Sequence, residues 1–138
     1  MIALEREVRF EDVDPAQIVF FARFLSYAHE AMERFFGELP GGYPRLVVDR
    51  RIGMPAVHLE SAFHVPLRYG DTVRIETSIA RLGRRSAVFL YRMFRKQDGA
   101  LAAEVRHTVV CSDMSAIASR EMPDDVRALL EAHVEPAP

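Results

Sequence analysis

Cysteine is nearly absent from this chain: Cys111 is the only one in 138 residues. That excludes an internal disulfide and fits a reducing compartment. Long apolar runs are missing as well, and no stretch approaches the roughly 20 residues that span a bilayer. The first residues hold Glu5, Arg6 and Glu7 where a secretory signal needs an apolar core. Charge bias is lacking: 18 Lys and Arg stand against 20 Asp and Glu, a formal net charge of −2. Such a balance exerts no general pull toward nucleic acid or an anionic membrane. There are no repeats, linkers or low-complexity tracts. These absences predict one soluble, cytoplasmic domain over residues 1–138, and a hydrophobic content of 49% is enough to bury a core.

One long helix is demanded by the spacing. From Phe20 to Phe36 the residues Phe21, Phe24, Leu25, Ala28, Met32, Phe35 and Phe36 recur every three or four positions as a single stripe. Arg23, Ser26, Glu30, Glu33 and Arg34 occupy the other side, and Gly37 with Pro40-Gly41-Gly42 stops the pattern. Residues 3–10 predict a first strand, broken by turn chemistry from Asp12 to Gln17, with Pro15 suited to a turn or helix entry. Beyond a loop the chain reads as strands. Val57, Leu59, Phe63 and Val65 alternate with His58, Glu60 and His64. Tyr69-Gly70-Asp71 is a turn, Thr72–Leu82 a strand, and Gly83-Arg84-Arg85 turns it into Ser86–Arg95. That strand is apolar on both faces, as a central strand is. Asp98-Gly99 signals a hairpin into Leu101–Ser112. A short helix over about Asp124–Ala132 follows Pro123, and the Pro-rich end is expected to fray.

The fold class is therefore α+β: an antiparallel sheet of about five strands wrapped around one long helix, plus a short C-terminal helix. A sheet of this size with one helix leaves edges uncovered, and pairing of subunits is a natural remedy.

The chemistry concentrates in Phe10-Glu11-Asp12-Val13-Asp14-Pro15-Ala16-Gln17-Ile18-Val19-Phe20-Phe21, which runs straight into the helix. Carboxylates are ionised at neutral pH and can attack an acyl group or deprotonate water. The free N–H groups and dipole of a helix start stabilise the oxyanion that forms, at roughly 3–4 kcal/mol per donor in known cases. Asp14 is the candidate; a cap or Asx-turn role is the plain alternative for it. Asp12 reads as structural, bonding the loop's backbone.

This stretch resembles the signature of the hotdog-fold acyl-CoA thioesterases, in their 4-hydroxybenzoyl-CoA thioesterase-like branch. The family pattern is Asp-x-Asp-Pro-Ala-Gly-Ile-Val-aromatic-aromatic, and this chain has Asp12-Val13-Asp14-Pro15-Ala16-Gln17-Ile18-Val19-Phe20-Phe21. A looser match extends from about Leu4 to Pro123, with Tyr69-Gly70-Asp71 in the family's place. The resemblance implies that Asp14 is the catalytic carboxylate and that the Phe21 backbone N–H polarises the thioester carbonyl. It implies further that Arg84 and Arg85 hold the phosphates of coenzyme A, with Arg120 as a weaker third. Phe20 and Gln17 are candidate substrate contacts. Gln17 departs from the family's glycine, so a left-handed backbone there costs more. Ala22 departs too, since the family has an aromatic followed by proline.

The activity implied is hydrolysis of an acyl-CoA, aromatic or short-chain, to free acid and CoA, with no cofactor beyond the substrate's own CoA. A homodimer or homotetramer is implied, and an acyl carrier protein is an alternative thiol donor. Neither nucleic acid nor membrane is an expected partner. Two other readings stand beside this one. One is a non-catalytic module that binds acyl-CoA or acyl carrier protein; the other is a hydratase-type hotdog enzyme, for which His29 is the only helical histidine. The remaining reactive side chains read as structural. His58, Glu60 and His64 match no established zinc spacing, so no metal is expected. His29 and His107 read as packing histidines, Cys111 as a small core residue, and Asp71 as the residue that fixes its turn.

Overall fold

The structure, a computed structural model, describes residues 1–136. The chain runs through strand β1 (Ile2–Glu7), a 3-10 turn (Phe10–Asp12) and helix α1 (Arg23–Phe36). A helical turn α2 (Gly42–Pro44) leads through a π-helical turn (Arg45–Asp49) into β2 (Ile52–Gly53) and β3 (Ala56–Phe63). The strands β4 (Thr72–Leu82), β5 (Ser86–Arg95) and β6 (Ala100–Val110) follow. The short strands β7 (Ser112–Asp113) and β8 (Ala118–Ser119) and helix α3 (Asp124–Glu131) complete it.

Five strands form one antiparallel sheet in the order β1-β4-β5-β6-β3. Successive side chains of a strand point to opposite faces, so one face collects Val73, Ile75 and Ile79 of β4 with Phe89, Tyr91 and Met93 of β5. All six are buried. Against this face α1 lays Phe24, Tyr27, Ala28, Ala31, Met32, Phe35 and Phe36. Phe35 meets Phe89 edge-on at 5.4 Å between ring centroids. Full burial of each large apolar side chain contributes about 1.5–3 kcal/mol, so this seam between helix and sheet is the core. As expected from its apolar faces, β5 is the central strand.

Several sequence expectations shift. The helix starts at Arg23 rather than Phe20, because Arg23 N–H bonds back to Phe20 O and Phe24 N–H to Phe21 O in a tighter turn. Phe21 and Leu25 are exposed, and Tyr27 and Ala31 take their place on the buried stripe. The strands are not a simple meander: β3 crosses over to pair with β6 instead of with its successor β4. Its two faces do not differ in burial, and all eight residues are exposed. The segment 42–49, expected as a loop, is helical, and β2, β7 and β8 form a second small sheet. The C-terminal end is also tied down through residue 135. Ile79 N–H donates to His133 O at 2.9 Å, and Glu135 N–H donates to Ile79 O at 2.8 Å. Residues 137–138 of the expected frayed end lie outside the described residues.

Candidate functional site

The 12–20 segment is a small hairpin. Val13 and Val19 form an antiparallel bridge, and Phe20 N–H donates to Asp12 O at 2.9 Å. The tip is a tight turn in which Gln17 N–H reaches Asp14 O at 2.8 Å and Asp14 N–H reaches Ile18 O at 3.1 Å. A three-residue hairpin loop needs a left-handed residue at its end, and Gln17 supplies it with φ of 66°. The departure from glycine thus leaves the loop's conformation in place and adds strain of about 1–2 kcal/mol. Asp14 Oδ1 accepts from Ala16 N–H at 2.8 Å, an Asx turn that fixes the carboxylate's direction. The other oxygen takes no hydrogen bond among the described residues, so both readings weighed for Asp14, capping and chemistry, are compatible with its geometry.

Asp12 faces the other way and is buried. Its Oδ2 accepts from Arg6 Nη1 at 2.6 Å, from Arg9 N–H at 2.9 Å and from Tyr27 Oη at 2.9 Å. Burial by itself raises a carboxyl's pKa, but the bonds from Arg9, Tyr27 and Arg6 outweigh it and hold Asp12 below its usual 3.8. Burial, then the bond to Asp12, pushes the Tyr27 phenol up. The Arg6 guanidinium lies over the Tyr27 ring at 4.3 Å and pairs with Glu30 as well. This cluster ties β1, the hairpin and α1 together, and its acceptor is consumed in doing so. Arg6 and Tyr27 were not legible as site supports. Tyr27 sits on the helical stripe at the right spacing, but its polar tip hides it from a count of apolar residues.

Two concavities flank the hairpin. One, of about 650 Å³, is lined by Phe10, Val13, Asp14, Pro15, Gln17, Arg68 and Tyr69. Phe10 and Tyr69 meet edge-on there at 5.9 Å. The second, of about 400 Å³, is apolar and runs from Phe21 and Phe24 to Phe63, His64 and Leu67. Phe21 N–H precedes the helix and donates to nothing among the described residues. Free N–H groups at a helix start point toward an anion or a polarised carbonyl. Phe20 packs on Phe21 at 4.7 Å and lines neither concavity. Phe10 comes from the 3-10 turn and Phe63 and His64 from the end of β3, segments far apart in sequence that the sequence pattern alone does not bring together.

Arg84 and Arg85 do sit in the β4–β5 turn, closed by Gly83 N–H to Ser86 O at 2.8 Å. They lie far from Asp14 in the same chain. Val19 of the hairpin bonds Leu67 O, and Val8 after β1 bonds Asp71 O beside the Thr72 end of β4, whereas the arginines follow its Leu82 end. At about 3.3 Å per residue the strand between its two ends is about 33 Å long. Arg85 bonds Ser119 Oγ, and Arg120 bonds Glu121 O.

The other reactive groups disperse. His58 pairs with Glu60 at 3.0 Å on exposed β3, while His64 is 3.9 Å from Glu104. Among the described residues no three His, Cys, Asp or Glu side chains converge as metal ligands. His29 is not a packing residue: it is exposed and bonds Glu33 at 2.9 Å, an i,i+4 pair. His107 is half-buried against Tyr91 Oη at 3.2 Å, and burial followed by the charge of His29 lowers its pKa. Cys111 is buried in the core. Asp71 does fix its turn, accepting from Arg68 N–H at 2.8 Å. No helix among the described residues is long and apolar enough to cross a membrane.

A sequence profile described as thioesterase-like superfamily matches residues 8–130. A 1,4-dihydroxy-2-naphthoyl-CoA hydrolase of Synechococcus elongatus is 33% identical over 104 residues, which cover 75% of this chain and 76% of that protein. Among solved structures, a thioesterase-superfamily protein from Jannaschia superposes with a TM-score of 0.90 at 29% identity, covering 98% of this chain and 94% of that one. The 4-hydroxybenzoyl-CoA thioesterase of a Pseudomonas species superposes with a TM-score of 0.82 at 28% identity, covering 93% and 97%.

Proposed function

The chain belongs to the thioesterase-like superfamily, has its hotdog fold and is an acyl-CoA thioester hydrolase; we propose that Asp14 is its catalytic carboxylate and the Phe21 N–H its carbonyl-polarising donor. The observation that carries this is a directed carboxylate with one oxygen unengaged at the hairpin tip, together with an unengaged N–H at Phe21, between the end of the hairpin and the start of α1.

In the reaction the thioester oxygen accepts from Phe21 N–H, and the positive end of α1 adds to the stabilisation of the oxyanion. Asp14 either attacks the carbonyl carbon or takes a proton from the water that does. The C–S bond breaks, the CoA thiolate leaves and is protonated, and water supplies the oxygen of the free acid. No step calls for a cofactor; CoA enters as part of the substrate. The acyl group is aromatic or short. The aromatic lining of both concavities, Phe10 and Tyr69 in one and Phe21, Phe24 and Phe63 in the other, supports that class. The naphthoyl and benzoyl substrates in the names of its relatives support it too.

Arg84 and Arg85 hold the CoA phosphates through guanidinium forks. They stand at the far end of β4, so the phosphates bound next to Asp14 are held by Arg84 of the partner subunit and Arg85 of the partner subunit. Residues 1–138 act as one catalytic domain in a cytoplasmic homodimer or homotetramer. Acyl carrier protein is a second thiol donor that the same arginines suit.

The test is release of free thiol from benzoyl-, hydroxybenzoyl-, phenylacetyl- and short to medium aliphatic acyl-CoAs. Turnover is expected on aromatic or short members, with KM raised about a hundredfold in Arg84→Ala/Arg85→Ala, the loss of two charge-assisted contacts of about 1.5 kcal/mol each. No turnover on any member, with acyl-CoA still bound, would instead make the protein a binding module.

A further inference from the structure

The hairpin tip keeps a left-handed residue that is not glycine. Gln17 has φ of 66°, a backbone that glycine adopts at no steric cost and that the family pattern gives to glycine. Nothing within the fold offsets the strain. The backbone N–H of Gln17 donates to Asp14 O, a bond that glycine would retain. Its side chain is exposed, and the carboxamide takes part in no hydrogen bond among the described residues. A local rule broken without an internal gain directs attention to a ligand.

The surroundings say which part of a ligand it meets. Gln17 lines the concavity that also holds Asp14, Arg68 and the edge-on pair of Phe10 and Tyr69. The other concavity, beside the Phe21 N–H, is lined by apolar side chains with His64 as the exception. Coenzyme A and an acyl carrier protein present the same arm to a hydrolase: the sulfur, a short ethylene spacer, then an amide. That amide needs a polar partner, so the arm leaves past the hairpin tip, where such partners stand. Asp14 as a carboxylate only accepts and Arg68 only donates, whereas a carboxamide does both and can meet either the N–H or the C=O of an amide. The family pattern manages without this side chain, so it serves binding rather than bond breaking.

We propose that Gln17 is a substrate-binding residue whose carboxamide hydrogen-bonds the amide nearest the sulfur, and that the left-handed backbone is kept for this contact. The assignment rests on the hydrolase reading of the site. It makes the hairpin tip a reader of the thiol arm, independent of the phosphates, so that thioesters carrying this amide are held more tightly than simple alkyl thioesters. Stability given up at the tip is exchanged for affinity there.

Binding of phenacyl thioethers tests this without turnover, because their carbonyl is not bonded to sulfur and they are not hydrolysed. Failure here is thus separable from failure of the hydrolase reading, which thiol release by the native protein reports. The probes are the phenacyl thioethers of CoA, of N-acetylcysteamine, which keeps the amide without the phosphates, and of propanethiol, which lacks both. Affinities are measured by calorimetry for the first and by ligand-detected NMR for the others. Gln17→Gly is expected to raise Kd about tenfold for the two amide-bearing probes, the loss of one hydrogen bond, and to leave the propyl probe within about twofold, while its Tm does not fall. Gln17→Asn, which tolerates the same backbone but reaches less far by a methylene, should show the same split, so the outcome does not hang on one variant. An equal rise in Kd for all three probes would place the contact on the acyl side or reduce Gln17 to shaping the loop. That result overturns the assignment, as would unchanged affinity for every probe, or no binding of any probe by the native protein.

Discussion

The hairpin that carries the site has two sides, and they are put to opposite uses. On the inner side Asp12 is buried and accepts three hydrogen bonds, from β1, from the 3-10 turn and from α1. On the outer side, two residues later, Asp14 accepts one and lines an open concavity. The same side chain is an anchor where its lone pairs are consumed and, in the function we propose, a reagent where one oxygen is left over. The Phe21 N–H is likewise unengaged, but it borders the second concavity. On that proposal the groups left unsatisfied are the reactive ones, and the bonds to Asp12 hold the loop that carries Asp14.

That contrast breaks most sharply at Phe21. Phe21→Pro removes the N–H and is expected to lower kcat by about a hundredfold to a thousandfold, the range for an oxyanion donor. Phe21→Ala keeps the N–H and should stay within about tenfold; equal losses in the two variants would place the carbonyl elsewhere.

The inner side breaks through stability. Asp12→Asn removes one of the two charge partners of Arg6, leaving Glu30, and weakens the bonds from Arg9 N–H and Tyr27 Oη; it should cost about 2 kcal/mol, read as a fall in Tm. The rate per folded molecule should change far less than the Tm suggests. A fall in rate with no fall in Tm would make Asp12 part of the chemistry.

Acid sharpens the comparison at native sequence. Because folding lowers the Asp12 pKa, its contribution to stability is fully present above the unfolded value of 3.8. It is lost as pH falls below that through the folded value. Denaturation midpoints in urea should drop in that acid window, and much of the drop should be missing in Asp12→Asn. The smallest effect belongs to the hairpin tip. Gln17→Gly relieves a left-handed residue and should add about 1 kcal/mol, visible as a rise of about 4 °C in Tm. An unchanged or lower Tm would mean that the Gln17 side chain stabilises the loop by as much as its backbone strains it.

Much of this was legible in the sequence where one local pattern decides the outcome. The stripe of α1, the central place of β5 and the Asp98-Gly99 hairpin all follow from residue types at short spacing, and Asp12 does bond the loop's backbone as its turn-forming residue type suggested. What was hidden depends on contacts between distant segments. No local signal says that β3 crosses to β6, because its alternation suits either neighbour. The distance between Arg84–Arg85 and Asp14 emerges only once the length and direction of β4 are known. Phe21 and Leu25 fit the helical stripe by spacing, yet they stay exposed because the helix begins later and the strand facing them is an edge. His29 falls outside the core for the same reason.

The central claim is that Asp14 does the chemistry and Asp12 does not. It is tested most directly by thiol release from the preferred acyl-CoA, with native protein and Asp14→Asn measured side by side with their melting temperatures. Asparagine can still accept from Ala16 N–H but is neither a base nor an efficient nucleophile. The account predicts a rate lower by about a hundredfold or more at an unchanged Tm. Equal rates in the two proteins would contradict it.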